Sequence, residues 1–408
     1  MAFAITVAVV GCSDPSHSND PGVSTRSAPT ESSATAPVAG VVASDSGPSS
    51  TSPPTSTTAS SSPSSSAPAL ASIPPLDPPA TATIPPFANA ADAAVSDPAP
   101  VVGPSGGPMF PLTGLSAPSA DAARVSVLAV KIDNAPQARP QTGLDTADVI
   151  IEEVVEGGVT RFLALFQSRG SDPVGPIRSV RPVDPALLAP FGGAFGYSGG
   201  TKRFINGLRR VPVVDVGVDL SPGAYFRSQR AKAPYNLYSS TSQLRVRTGE
   251  TRGPERPWEF EADGNEWSAA GAAAALRYSL RVSPAAAVAW RWSPERSAWE
   301  RSTNETAHTV RPSGAVVAST NVIVVFVAYL DTSATDVSHA PVPEPAIIGG
   351  GRATFLVDGQ RADGRWSKSS VGAAMRFSDS AGAPIRLRRG TSWLLLAPAD
   401  AAAESPPV

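Results

Sequence analysis

The stretch Val149-Ile-Ile-Glu-Glu-Val-Val-Glu-Gly-Gly-Val-Thr-Arg-Phe-Leu-Ala-Leu-Phe-Gln167 decides the fold class. Two runs rich in β-branched and large apolar residues, Val149–Val155 and Val159–Gln167, flank Gly157-Gly158. Glycine adopts positive φ without strain, so such a pair between apolar runs predicts an antiparallel hairpin. With a two-residue loop, Arg161 falls across from Val154 and diagonal to Glu152 and Glu156. One face of the hairpin would then carry a carboxylate–guanidinium cluster.

Upstream, Val125–Asp133 reads as a further strand. Downstream, Pro185–Phe191 and Thr201–Arg210 read as helices, the second with Phe204, Ile205 and Leu208 at helical spacing. Strands and helices joined by short connections predict a mixed α/β domain over residues 110–250. Residues 258–398 differ. Short apolar runs (Arg281–Ser283, Ala287–Trp292, Ala298–Arg301, Asn321–Leu330, Ala353–Val357, Ala374–Phe377 and Thr391–Leu396) alternate with turn signals such as Ser293-Pro-Glu-Arg296 and Gly349-Gly350-Gly351. That pattern predicts a mainly β domain, a sandwich or curled sheet. The expected class is α+β: a mixed α/β N-terminal domain, then a mainly β C-terminal domain, behind a disordered tether.

The tether is residues 13–108, built of Ser, Pro, Thr and Ala, and it holds 19 of the 43 prolines. Such composition cannot bury enough apolar surface to offset chain entropy. As a flexible coil its ends lie about 50–60 Å apart. Charge divides the chain the same way. The whole carries 33 Lys and Arg against 35 Asp and Glu, net −2, yet residues 1–108 hold one basic and seven acidic residues. That balance excludes a strongly basic nucleic-acid binder, and no apolar run reaches the roughly 20 residues of a spanning helix. One cysteine excludes a disulfide scaffold.

That cysteine ends Met1-Ala-Phe-Ala-Ile-Thr-Val-Ala-Val-Val-Gly-Cys12, an apolar stretch closing on small residues. It resembles the end of a bacterial lipoprotein signal, with Val9-Val10-Gly11-Cys12 as the lipobox. Residues 1–12 are expected to be the signal and Cys12 the lipidation site, placing the mature chain outside the cytosol on the outer face of the cell membrane. No Lys or Arg precedes Cys12, so the true start is expected upstream of Met1.

Lys131-Ile-Asp-Asn134, Arg139-Pro-Gln141, Gly143-Leu-Asp-Thr-Ala-Asp-Val149, Glu152-Glu-Val-Val-Glu-Gly-Gly158, Thr160-Arg-Phe162 and Val174-Gly-Pro-Ile-Arg-Ser-Val-Arg181 follow one another in an order that resembles the YerB-like lipoprotein family. Ala233-Pro-Tyr-Asn-Leu-Tyr238, Asn321-Val-Ile-Val324 and Asp363-Gly-Arg-Trp-Ser-Lys368 extend the resemblance to about residues 110–398. This family, domain of unknown function 3048, has an N-terminal and a C-terminal domain. The resemblance therefore implies location and architecture and little chemistry. It also implies a His where Tyr235 stands, and a Gly-x-x-His-x-Asp pattern where this chain has Ala307-His308-Thr309.

The densest chemical signal is Arg178-Ser-Val-Arg181, bracketed by Pro176 and Pro182, which predicts an ordered extended loop. Guanidinium forks donate paired hydrogen bonds to carboxylate or phosphate. With Arg139 and Arg161 from the same domain, and Asp133 and Glu152 beside them, this set reads either as an anion-binding cleft or as a structural ion-pair network. Gly196-Tyr-Ser-Gly-Gly200 matches Gly-x-Ser-x-Gly, but the only folded histidines, His308 and His339, belong to the other domain, so a glycine-rich turn opening a helix is the expected role. Trp290 and Trp292 share a strand face and are expected in the core. No metal site and no cofactor is expected, because three histidines and one lipidated cysteine offer no ligand spacing.

The function these features favour is binding of an anionic cell-envelope ligand, a polymer or an acidic protein partner, through Arg139, Arg161, Arg178, Arg181, Asp133 and Glu152. An envelope adaptor docking a partner through its β domain is the first alternative. An enzyme acting on a phosphorylated or carboxylated glycan is the second, disfavoured because no complete catalytic set is visible.

Overall fold

The computed structural model describes residues 106–248, 253–336 and 338–403. Cys12 and nearly all of the segment 13–108 lie outside the described residues. The described chain is α+β, with a mixed-sheet N-terminal part and a strand-rich C-terminal part.

The two parts meet in one sheet. Its strands run in the spatial order Arg376–Asp379, Gln360–Lys368, Gly349–Val357, Asn321–Val327, Ser392–Pro398, Val149–Val154, Thr160–Phe166, Leu128–Asp133, Ala194–Gly196, Val214–Asp215. The junction is Ser392–Pro398, which pairs in parallel with Asn321–Val327 on one side and with Val149–Val154 on the other. Strands this central are covered on both faces, and Val149–Val154, Thr160–Phe166 and Asn321–Val327 are buried at every position. One face packs Leu163, Leu165, Phe195, Phe204 and Phe355; the other packs Phe162, Phe166, Trp290, Trp299 and Trp393.

A second sheet, Arg277–Ser283, Ala286–Ser293, Ala298–Thr303 and Thr306–Ala307, with Ala318–Ser319 added beside Ala298–Thr303, lies on the Trp-rich face. Trp290 is almost fully buried there and Trp292 partly so, as strand periodicity predicted, and Trp299 is fully buried beside them. The expected helices are present, shorter than expected, as Asp184–Leu188 and Lys202–Leu208.

Two local expectations are corrected. The hairpin loop is a 3₁₀ turn, Glu156-Gly157-Gly158, closed by Val155 N–H donating to the Val159 carbonyl at 2.8 Å. Three loop residues move the register by one, so Arg161 sits opposite Glu153 and Glu152 opposite Phe162. Because side chains alternate, that slip sends Glu152 to the face away from Arg161. Gly349-Gly350-Gly351 is the start of strand Gly349–Val357 rather than a turn. A Cβ on Gly351 would lie 2.7 Å from Nε1 of Trp366, whose indole donates to the Phe326 carbonyl at 3.0 Å, so glycine is what lets the Trp366 ring lie against this strand.

Candidate functional site

Alternation along Val149–Val154 aims Glu152 and Glu153 at opposite faces, and each face carries its own charged cluster. On the first, the fully buried Lys131 ammonium donates to Glu153 and, at 2.6 Å, to Asp184. Burial pushes the Glu153 carboxyl up, against the pull of Lys131. The same side of the sheet holds Arg181 at 2.6 Å from Glu156, Arg161 at 3.7 Å from that carboxylate, and Arg178 at 2.7 Å from Asp133. The Arg181 backbone N–H donates to Asp184 at 2.6 Å, which ties the proline-bracketed loop to helix Asp184–Leu188. Burial, with Arg181 nearby, brings Arg161 down to about 10.

The second cluster joins the two parts of the chain. Arg301, fully buried, donates to Glu152 at 2.6 Å, and that carboxylate also accepts from Thr160 at 2.7 Å and from the Trp393 indole at 2.9 Å. Arg301 lies 4.9 Å from the centre of the Trp393 ring and 5.5 Å from that of Phe162. From it a hydrogen-bonded chain runs outward. Arg301 donates to His308 Nδ1 at 2.6 Å, His308 Nε2 donates to Gln141 Oε1 at 2.8 Å, and Gln141 Nε2 donates to Asn134 Oδ1 at 3.0 Å. Asn134 also accepts from Arg139, through Oδ1 at 2.9 Å and through its carbonyl at 2.8 Å. With Nδ1 accepting from a permanent cation, the ring is neutral; burial first, then Arg301 and Arg139, hold His308 well below the usual histidine range.

Arg139 is where this chain meets solvent. It lines a pocket of about 580 Å³ together with Arg230, Arg311, Phe226, Tyr235 and Tyr238. Backbone pairing explains the convergence: Val310–Arg311 runs parallel to Gln141–Thr142, placing Arg311 opposite Thr142 and beside the Arg139 loop. Arg230 and Tyr235 come from the loop between the paired strands Tyr225–Arg227 and Leu237–Ser239. Against three guanidinium groups the pocket wall sets one carboxylate, Asp172, among the described residues. Burial and Arg301 bring Arg139 down to about 10, so its charge persists at neutral pH.

Of the residues singled out in the sequence, Arg139 lines the pocket and Arg178 reaches its edge, its guanidinium 5.7 Å from the centre of the Tyr235 ring. Asp133, Arg161 and Arg181 form the ion pairs of the first face and Glu152 anchors the second. The Gly196–Gly200 segment lies between strand Ala194–Gly196 and helix Lys202–Leu208, and Ser198 N–H donates to the Arg178 carbonyl at 2.9 Å. Both nitrogens of His308 are engaged by Arg301 and Gln141, away from Ser198. Sequence reading missed Arg311, which belongs to the mainly β part, and the buried cations Lys131 and Arg301, whereas Glu156 was expected beside Arg161 and does pair with it. An arginine before a proline in both loops, Arg139-Pro140 and Arg311-Pro312, was the available signal.

Residues 112–254 match the N-terminal domain of a protein of unknown function, DUF3048, and residues 278–394 match the C-terminal domain of the same family. The chain belongs to the DUF3048 family. Within it, this member is 37% identical over 146 residues to the Bacillus subtilis (strain 168) protein called "Putative lipoprotein YerB". That alignment covers 33% of this chain and 41% of the relative's length. The crystal structure of YerB protein from Bacillus subtilis has the same fold, with a TM-score of 0.61 at 24% identity, covering 73% of this chain and 99% of that one.

Proposed function

We propose that this DUF3048 member is an extracytoplasmic lipoprotein, held on the outer face of the cell membrane through Cys12, that binds an anionic envelope ligand. In this reading residues 13–108 are the linker, and residues 110–250 and 258–398 are the two domains of the folded part. The observation that carries the binding role is the charge imbalance of the pocket: Arg139, Arg230 and Arg311 face Asp172 alone among its described lining residues. Arg178, held by Asp133, adds to the local field. Arg161 and Arg181, with Asp133 and Glu152, form the framework that fixes the loops bearing the ligand contacts. Guanidinium forks suit phosphate or carboxylate, and three of them converge on a volume typical of small-ligand sites.

Calorimetric titration of the full chain with inorganic pyrophosphate tests this. Saturable binding is expected, weakening about tenfold or more in Arg311→Ala and falling as salt rises. No saturable heat would overturn the binding role. Mass spectrometry of the mature chain tests the anchor independently, since a Cys12 free of acyl chains removes it.

A further inference from the structure

We propose that the ligand of the Arg139 pocket is a glycosyl phosphate, its phosphate on the arginines and its sugar ring on Phe226. This rests on the anion-binding reading and adds the chemistry of what the phosphate is attached to. A pocket of about 580 Å³ is far larger than a bare anion needs, and apart from Asp172 the rest of its wall is uncharged and mixes polar with apolar groups. Phe226 is 49% exposed at the pocket, beside the hydroxyls of Thr142 and Ser228 and the amide of Gln137.

The arrangement of the rings decides between a sugar and a flat aromatic group. Phe226 and Tyr238 are partners across their two strands, and their rings stack at 6.1 Å with planes 26° apart. At that separation the rings are offset, so each turns part of one face toward the other. Phe226 makes no second ring contact among the described residues, and the pocket's other ring, Tyr235, lies against the Arg178 guanidinium, so Phe226 offers a platform rather than one wall of a slot between two rings. A nucleobase gains most from being enclosed on both faces. A pyranose needs one aromatic face for its axial C–H groups and neutral polar groups around its edge for its hydroxyls, and this wall supplies both. Arg139 and Arg311 stand beside the platform, so a phosphate on the sugar reaches guanidinium donors while the ring stays on Phe226.

The test is calorimetry on the full chain with four soluble probes: N-acetylglucosamine 1-phosphate, inorganic phosphate, free N-acetylglucosamine and adenosine monophosphate. The sugar phosphate is expected to bind about tenfold tighter than phosphate, and the free sugar much more weakly than either. Phe226→Ala, a change at an exposed side chain, is expected to bring the sugar phosphate down to the affinity of phosphate and to leave phosphate itself unchanged. Equal affinities for the sugar phosphate and phosphate, or no effect of Phe226→Ala, would overturn the sugar and leave the anion site standing. Tighter binding of adenosine monophosphate would overturn it in favour of a base. Binding to phosphatidylglycerol vesicles that survives Phe226→Ala would overturn it in favour of a lipid headgroup. If none of these probes binds, the anion-binding reading falls as well.

Discussion

The basic groups of this molecule fall into two populations, those inside the sheet layers and those around the Arg139 pocket. Inside, cation and acid come together: Lys131 with Glu153 and Asp184, Arg301 with Glu152, Arg181 with Glu156. At the pocket, Arg230 and Arg311 are exposed and Arg139 leans on the amide and carbonyl of Asn134 instead of a carboxylate. The contrast follows from desolvation. A charge taken out of water costs several kcal/mol unless a partner neutralises it, whereas a charge that keeps its water can stand unmatched and wait for a ligand. Compensation therefore marks framework and its absence marks a site.

Removing the interior cation is expected to have the largest effect. Lys131→Met leaves Glu153 and Asp184 facing each other without a counter-charge, and a loss of about 5 kcal/mol in urea unfolding is expected. The loss should deepen as pH rises. Burial already pushes Glu153 up, a carboxyl with a raised folded pKa contributes stability below its unfolded pKa, and that contribution disappears as pH climbs through the folded value. A Lys131→Met protein as stable at pH 8 as at pH 5 would show that the two acids do not repel.

Glu152→Gln comes next, at about 3 kcal/mol. It keeps the volume and an acceptor for Arg301 but removes the charge, and its NH₂ then confronts either the Trp393 indole N–H or Arg301, both donors. Because Glu152 and Arg301 belong to different parts of the chain, the two family regions should melt together in wild type. Separate transitions in the variant, seen by calorimetry, would mean that this pair is what unites them.

How much of this was legible in the sequence depends on distance along the chain. The hairpin at Gly157-Gly158, the helices and the buried tryptophans were readable because each depends on neighbours a few residues away. The register was not, since whether Glu156 joins the loop is settled by 3₁₀ geometry, and that single residue exchanged the faces of Glu152 and Glu153. The four arginines were found as a group, but which of them would be neutralised depended on Glu156, Asp133 and their place on the sheet. Arg311 shares an Arg-Pro dipeptide with Arg139, but nothing in the sequence places the two side by side. Its position comes from the parallel pairing of Val310–Arg311 with Gln141–Thr142, a long-range contact that leaves no local pattern.

A smaller effect separates the two populations by pH. His308 is neutral in the fold, with burial, Arg301 and Arg139 holding it well below the usual value, while the unfolded chain takes up a proton near pH 6.5. A group with a depressed folded pKa contributes stability above its unfolded value and loses it as pH falls. Stability should thus drop by up to about 1.4 kcal/mol per pH unit below pH 6.5 on account of this residue, and His308→Gln should flatten that slope. An unchanged slope would assign the acid limb to other groups. Pyrophosphate affinity gives the same variant a second readout, because His308 reaches Arg139 only through Gln141 and Asn134.

The smallest expected change in stability belongs to Arg311→Ala, and it is the sharpest measure of the contrast. Arg311 is exposed, its backbone pairing with Thr142 does not involve the side chain, and it sits among guanidinium groups whose mutual repulsion its removal relieves. Unfolding free energy should stay within about 0.5 kcal/mol of wild type, with any shift toward greater stability at low salt, where repulsion is least screened. The same substitution should cost about tenfold or more in pyrophosphate affinity. A framework arginine such as Arg181 should behave in the opposite way, because its loss leaves the buried Glu156 with only the longer pair to Arg161. If Arg311→Ala lowered stability by more than about 1 kcal/mol, its charge would be part of the framework, and imbalance would no longer distinguish the pocket from the core.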